Sequence, residues 1–227
     1  MSPAKAGRRP RLGPGRLSAA ETENLPDRLL DAAFLLFTEH GYADATMDQI
    51  AKRAGASTKT LYSRYSNKAE ILEAVIARNV ERTVANALRG FSLRAEEVGP
   101  REFLLKFGLQ IGMATLSDET AGITRITFAE AHRFPILRRT YREVTGRGVA
   151  AIQNCLILWR DKGQLDFDVD TELLAEHCFH ALTNEPRIRA ILADPMSRAE
   201  LTRYVTLAVD MFIAGLGGEK KAKRTHK

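Results

Sequence analysis

Only two cysteines, Cys155 and Cys178, occur in 227 residues. They lie far apart in apolar helical patterns and read as reduced core residues of a cytoplasmic protein. The five histidines are scattered, so neither residue type offers zinc spacing and no metal is expected. His177 and His180 share a helix face at i and i+3, but no third ligand accompanies them. Paired carboxylates, a nucleophile motif and a phosphate-binding loop are all missing, which argues against an enzyme and predicts no cofactor. No apolar run approaches the ~18–20 residues that a membrane-spanning helix needs. The N-terminus is basic without an apolar stretch behind it, so no secretory signal is expected. Period-2 alternation is almost absent, which leaves an all-α fold.

What is present is ordinary in amount and uneven in placement. Hydrophobic residues make up 44% and charged residues 27%, enough for one large domain or two small ones. The net charge is +6. Residues 1–17 carry +5 (Lys5, Arg8, Arg9, Arg11, Arg16), residues 219–227 carry +4 and residues 46–68 carry +4, against −7 for everything else. Positive charge so concentrated suits a protein that offers one end to a polyanion. For the two tails alone, simple solvation explains the charge equally well.

From Pro26 the pattern is helical. A first helix spans about Pro26 to His40, with proline in its first turn and Gly41 as its stop. Thr46-Met47-Asp48-Gln49 has capping-box form and opens a second, short helix on Met47, Ile50, Ala51 and Ala54. Gly55 breaks it, and a third short helix follows with Leu61 and Tyr65 inward. Asn67 and Glu70 mark a fourth, which runs to about Leu88. Longer helices are expected after Gly99-Pro100, over about Asp118 to Arg133, from Phe134-Pro135 to Lys162-Gly163, over 170–184 with Pro186 bending or ending it, and over about Arg198 to Ala214. That makes about nine helices.

Two short helices joined by Gly55-Ala56-Ser57 form a helix-turn-helix. The second must enter a major groove ~12 Å wide, so it has to be short and polar on its outer face. Thr58, Lys59, Thr60, Tyr62, Ser63 and Arg64 supply that face. Thr46 and Ser57 sit at helix N-termini, where free N–H groups and partial positive charge attract phosphate. The expected function is therefore DNA binding.

Ala45-Thr46-Met47-Asp48-Gln49-Ile50-Ala51, Ala54-Gly55-Ala56-Ser57, Thr60-Leu61-Tyr62, Tyr65-Ser66-Asn67-Lys68 and Leu72 resemble the DNA-binding domain of the tetracycline-repressor (TetR) family. Tyr65, Lys59 and Arg64 stand where that family commonly has Phe, Gly, and His or Tyr. The resemblance implies an N-terminal helix-turn-helix domain and a C-terminal helical domain that binds a small ligand and dimerises. It implies DNA contacts from Thr46, Ser57, Thr58, Lys59, Thr60, Tyr62, Arg64, Tyr65 and Lys68, with those of Lys68, Thr46 and Tyr65 mostly to phosphate. The arm Arg8-Arg9-Pro10-Arg11 would reach the adjacent minor groove, as homeodomain arms do. The expected divisions are a basic disordered arm (1–24), the helix-turn-helix domain (25–70), the ligand-binding and dimerisation domain (71–216) and a basic tail (217–227).

For the C-terminal domain the resemblance implies a homodimer on a palindromic operator, joined by the last two helices. Interface candidates are Leu174, Cys178, Ala181, Leu182, Tyr204, Leu207, Ala208 and Met211. The same apolar faces would serve equally well to fill the subunit's own core. Candidates for a ligand cavity are Phe103, Phe107, Ile111, Phe128 and Trp159, beside Met113, with Arg125, His132, His177 and His180 as inward polar groups. The segment Phe128-Ala129-Glu130-Ala131-His132-Arg133-Phe134-Pro135 is similar to a stretch in one branch of the family. The leading expectation is a repressor released from DNA by a small apolar or amphipathic effector. The alternatives are a constitutive DNA-binding protein without an effector, and a helical enzyme.

Overall fold

A computed structural model describes residues 24–88 and 94–217. Among them are nine helices: α1 (Leu25–Asp44), α2 (Met47–Arg53), α3 (Thr58–Tyr62), α4 (Lys68–Leu88), α5 (Pro100–Thr115), α6 (Asp118–Glu130), α7 (Pro135–Asp161), α8 (Thr171–Ile191) and α9 (Arg198–Gly215). No strand occurs among the described residues. The basic arm with Arg8, Arg9 and Arg11, and the basic residues of the tail from Glu219 onward, lie outside them.

Local chemistry sets the helix ends. Ser117 Oγ accepts from Thr120 N and opens α6. Asp170 accepts from Glu172 N and Leu173 N at 2.8 and 3.0 Å and opens α8. Ser197 and Glu200 form a reciprocal capping box at α9. Gly41 has φ 79° and ψ 166°, non-helical values that put a kink in α1 near its end. α1, expected to stop at Gly41, resumes beyond the kink to Asp44, and Pro186 is a second stop signal the structure overrules. Pro186 was expected to bend or end the helix near 184, but α8 continues through it to Ile191. Pro186 lacks the N–H that would bond Leu182, yet it is buried with Leu182 and Ala190 along one side of α8. Packing on that side offsets the lost hydrogen bond.

Two apolar clusters organise the chain. The first joins α1–α4 around Leu29, Phe37, Ile50, Leu61, Leu72 and Ile76, and takes in Ile123 and Ile126 of α6 and Leu137 of α7. The second joins α5, α7, α8 and α9 around Trp159, Leu156, Phe103, Leu182 and Val205. The expected boundary between residues 70 and 71 falls inside α4, which runs across it unbroken. Two glycines let α5 and α9 approach closely. A Cβ at Gly108 would lie 2.8 Å from Val205, and one at Gly112 2.8 Å from Leu201. Gly122 does the same for α6 against α1, where Thr38 would stand 2.9 Å from an added Cβ. That crossing packs the C-terminal helices directly on the N-terminal ones.

Candidate nucleic-acid interface and internal cavity

The helix-turn-helix is built by short-range bonds. Thr46 Oγ1 accepts from Gln49 N at 3.2 Å, and Gln49 Oε1 accepts from Thr46 N at 2.8 Å. Ser57 Oγ accepts from Thr60 N at 3.1 Å and lies 2.7 Å from Thr60 Oγ1. Between these caps, Gly55 takes φ +64°. Arg28 of α1 donates to the Ala54 carbonyl, and its guanidinium stands 2.7 Å from where a Cβ on residue 55 would lie. Glycine is thus favoured at this turn by its positive φ, and a Cβ there would also push the Arg28 guanidinium aside. Thr58 Oγ1 donates to Asp48 Oδ1 at 3.0 Å, which ties α3 to α2.

This frame sorts α3 into two sides. Leu61 is fully buried in the first cluster, while Tyr62 is 50% exposed. Lys59, Ser63 and Arg64 are exposed, and Thr58 and Thr60 are half-buried. Tyr65 is half-buried, packed against the first cluster, and burial raises its hydroxyl pKa. Seven of the nine expected DNA-contacting residues, Thr46, Ser57, Thr58, Lys59, Thr60, Tyr62 and Arg64, lie at the N-terminal end of α2 or on and next to α3, whereas Tyr65 packs on the core.

Lys68 departs from expectation. Its ammonium donates to the carbonyls of Tyr42, Ala43 and Ala45 at 2.5, 2.8 and 2.8 Å. It also lies 4.5 Å from the Tyr42 ring centroid. Three carbonyls engage all three ammonium protons. Burial lowers the Lys68 pKa, with the Arg133 charge acting in the same sense. Lys68 is a clamp between the end of α1 and the start of α4, not a free phosphate contact. The same corner meets the segment 128–135: Phe134 stands edge-on to Tyr42 at 5.1 Å, and Arg133 lies 5.8 Å from both rings.

Behind this domain lies a cavity of about 400 Å³, within the range of small-molecule sites. Its walls come from five helices, α4 to α8. Of the expected ligand residues, Phe107 and Ile111 line it. The others are placed elsewhere, which corrects the sequence-based expectation. Trp159 is fully buried in the second cluster, donates Nε1–H to the Ala95 carbonyl and meets Phe103 edge-on. Arg125 donates to the carbonyls of Ala190 and Ile191, closing the C-terminal end of α8. Phe128 lies on the surface against Tyr141, and Met113, His132, His177 and His180 are exposed.

The residues that do line the cavity include eight threonines: Thr83, Thr115, Thr120, Thr124, Thr127, Thr140, Thr145 and Thr183. With them stand Tyr141, Arg147 and Arg187. Hydrophobic periodicity passes over threonine, although its methyl group makes a good apolar wall. A legible signal does exist, because Thr120, Thr124 and Thr127 on α6, and Tyr141, Thr145 and Gly148 on α7, recur at i+3 and i+4. The expected interface residues also divide. Cys178 and Leu182 are buried within the subunit's second cluster and cannot face a partner. Burial raises the Cys178 thiol to about 12 and the Cys155 thiol to about 11, so both stay protonated at neutral pH. Leu174, Tyr204 and Ala208 are half-buried, Ala181 is exposed, and Leu207 and Met211 are 61% and 67% exposed.

Among known proteins, residues 29–75 match the family model described as bacterial regulatory proteins, tetR family. Residues 102–216 match the model described as AefR-like transcriptional repressor, C-terminal domain. The chain is 44% identical over 62 residues to the HTH-type transcriptional regulator SrpR of Pseudomonas putida. That match covers 27% of this chain and 29% of SrpR. A solved TetR-family structure from Mesorhizobium loti MAFF303099 superposes with a TM-score of 0.73 at 24% identity, over 87% of this chain and 98% of that one. The flavonoid-responsive regulator FrrA superposes at 0.65 with 23% identity, over 85% and 97%. A capped helix-turn-helix packed on a cavity-bearing helical body, with both family models matched, settles the assignment: the chain belongs to the TetR family of helix-turn-helix transcriptional regulators, and is not an enzyme.

Proposed function

We propose that the protein is a cytoplasmic repressor that binds a palindromic operator as a homodimer and is released when a small molecule occupies the cavity. One observation carries the effector reading. Ile76, Ile123 and Leu137 belong both to the core of the helix-turn-helix domain and to the cavity wall. A close-packed core does not deform smoothly, so a ligand that shifts α4, α6 or α7 displaces the frame that holds α3. The ligand acts as a switch only if it binds the DNA-competent and DNA-free arrangements with different affinity.

DNA contacts are assigned to Thr46, Ser57, Thr58, Lys59, Thr60, Tyr62, Arg64 and Tyr65. Lys59, Tyr62 and Arg64 are the best placed to reach base edges, because they are exposed and their side chains take no part in the helix caps. The homodimer is supported by an apolar surface on α8 and α9, where Leu173, Leu207 and Met211 are each at least half exposed. Two such pairs of helices would form a four-helix interface and set the recognition helices about one helical turn, ~34–36 Å, apart or further.

The test is selection of bound sequences from random DNA by the full chain, followed by mobility shifts across a salt series. A palindromic consensus and a base-dependent affinity above the salt-sensitive background are expected. A uniform affinity for all sequences would defeat the reading. Operator binding that no cavity ligand alters would leave a constitutive regulator.

A further inference from the structure

The cavity is apolar in its walls but not neutral in its charge. No aspartate or glutamate lines it, whereas Arg147 and Arg187 do. Arg147 is exposed at the rim. Arg187 is half-buried on α8, one residue beyond Pro186, and forms no ion pair among the described residues. Its Nη2 donates to Asn184 Oδ1 at 2.9 Å, and its guanidinium lies 5.7 Å from the Tyr141 ring. Its Nε is buried without a hydrogen-bond partner. A buried guanidinium N–H with no acceptor is costly, and the cost falls when an anion supplies one.

Most of the cavity's threonines are already engaged in hydrogen bonds of their own. Thr115, Thr124, Thr145 and Thr183 donate their hydroxyl protons to carbonyls one turn back in their own helices, at 2.7–3.0 Å. Thr83 and Thr120 lie 3.2 Å apart, hydroxyl to hydroxyl. The four threonines bonded within their own helices present methyl groups and acceptor lone pairs to the interior. The hydroxyls of Thr127, Thr140 and Tyr141 also face this space, so what sets Arg187 apart is its charge, which with that of Arg147 makes the lining cationic. A cation would meet repulsion without a carboxylate to offset it.

We propose that the effector is an amphipathic anion, an apolar body bearing one carboxylate, with the carboxylate on Arg187 and the body against Phe107, Ile111, Val144 and Phe179. The inference rests on the reading of the cavity as the effector site. Arg147 at the rim attracts the anion, and Arg187 holds it. Fork geometry allows the carboxylate to accept from two guanidinium nitrogens at once.

Calorimetric titration of the full chain tests this with matched probes: decanoic acid, 1-decanol and decyltrimethylammonium, then 1-naphthoic acid and 1-naphthol. Each acid is expected to bind about tenfold or more tightly than its alcohol, as a charge-assisted bond implies. The ammonium is expected not to bind. Arg187→Met should lower the acid to the level of the alcohol while leaving the alcohol unchanged, and Arg187→Lys should restore part of the preference. Equal affinity of acid and alcohol, a preference that survives Arg187→Met, or no binding of either acid overturns the proposal. DNA release is scored separately in mobility shifts. Acid that binds through Arg187 without changing operator affinity upholds the anion site and overturns the effector reading. Release by the alcohol as readily as by the acid does the reverse.

Discussion

The helix-turn-helix and the cavity are opposite solutions to placing polar groups. The helix-turn-helix carries its chemistry outward on two short helices, held by bonds that span three residues, such as Thr46 with Gln49 and Ser57 with Thr60. The cavity carries its chemistry inward, on side chains of five helices that are distant in the chain. In the first, a polar side chain is free to meet a partner because water surrounds it. In the second, each polar group has to be satisfied within the protein or left for a ligand, which makes Arg187 conspicuous.

The sharpest way to break the contrast is at neighbouring residues of α3. Leu61→Ala removes a fully buried anchor and is expected to cost about 2–5 kcal/mol in chemical denaturation. Tyr62→Ala should change stability by no more than ~0.5 kcal/mol. It should nevertheless weaken operator binding by about tenfold in mobility shifts. A Tyr62 variant that unfolds would place that residue in the core and erase the division.

Gly148→Leu attacks the cavity. Even a Cβ at 148 would stand 2.2 Å from the Phe179 ring, so the larger side chain has to displace it. Destabilisation of about 1–3 kcal/mol is expected, with loss of ligand-induced change in Tm and retained operator binding. Undiminished ligand binding would mean that the cavity is not the ligand's site.

Lys68→Met separates clamp from phosphate contact. Losing donors to three carbonyls should cost about 1–3 kcal/mol in denaturant melts. An unchanged stability with a salt slope of DNA binding shallower by about one would restore the phosphate role.

The smallest effect concerns pH and the N-terminal end of α9. Hydrogen bonds from Ser197, with Arg189 beside it, hold the Glu200 carboxyl at about 2, below its ordinary 4.5. A depressed carboxylate pKa contributes stability that is present above 4.5 and lost as pH falls towards 2. The stability difference between the wild type and Glu200→Gln should therefore be seen at pH 6 and vanish near pH 2. A difference independent of pH would assign the cap to shape rather than charge.

The two regions also differ in how legible they were. The Thr46–Gln49 capping box, the turn at Gly55 and the inward Leu61 all followed from residues three or four apart, because caps and turns act over that range. Lys68 did not, since its partners at residues 42–45 are more than twenty positions away. Nor did Trp159 or Arg125, whose partners Ala95 and Ala190 lie 64 and 65 positions off. An aromatic or a charge in a helical pattern has no local mark of whether it faces a core, a cavity or another helix end.

By itself the sequence determined the all-α class, the start of every helix and the polar face of α3, all of which rest on local propensity and capping. Only the tertiary structure decided that Lys68 holds the two ends of the N-terminal helices together and that Pro186 lies within a continuous helix. It also decided that Cys178 and Leu182 face inward, and that threonines with Arg187 make the cavity wall. Each of these depends on which helix packs beside which, and close packing between distant segments sets that.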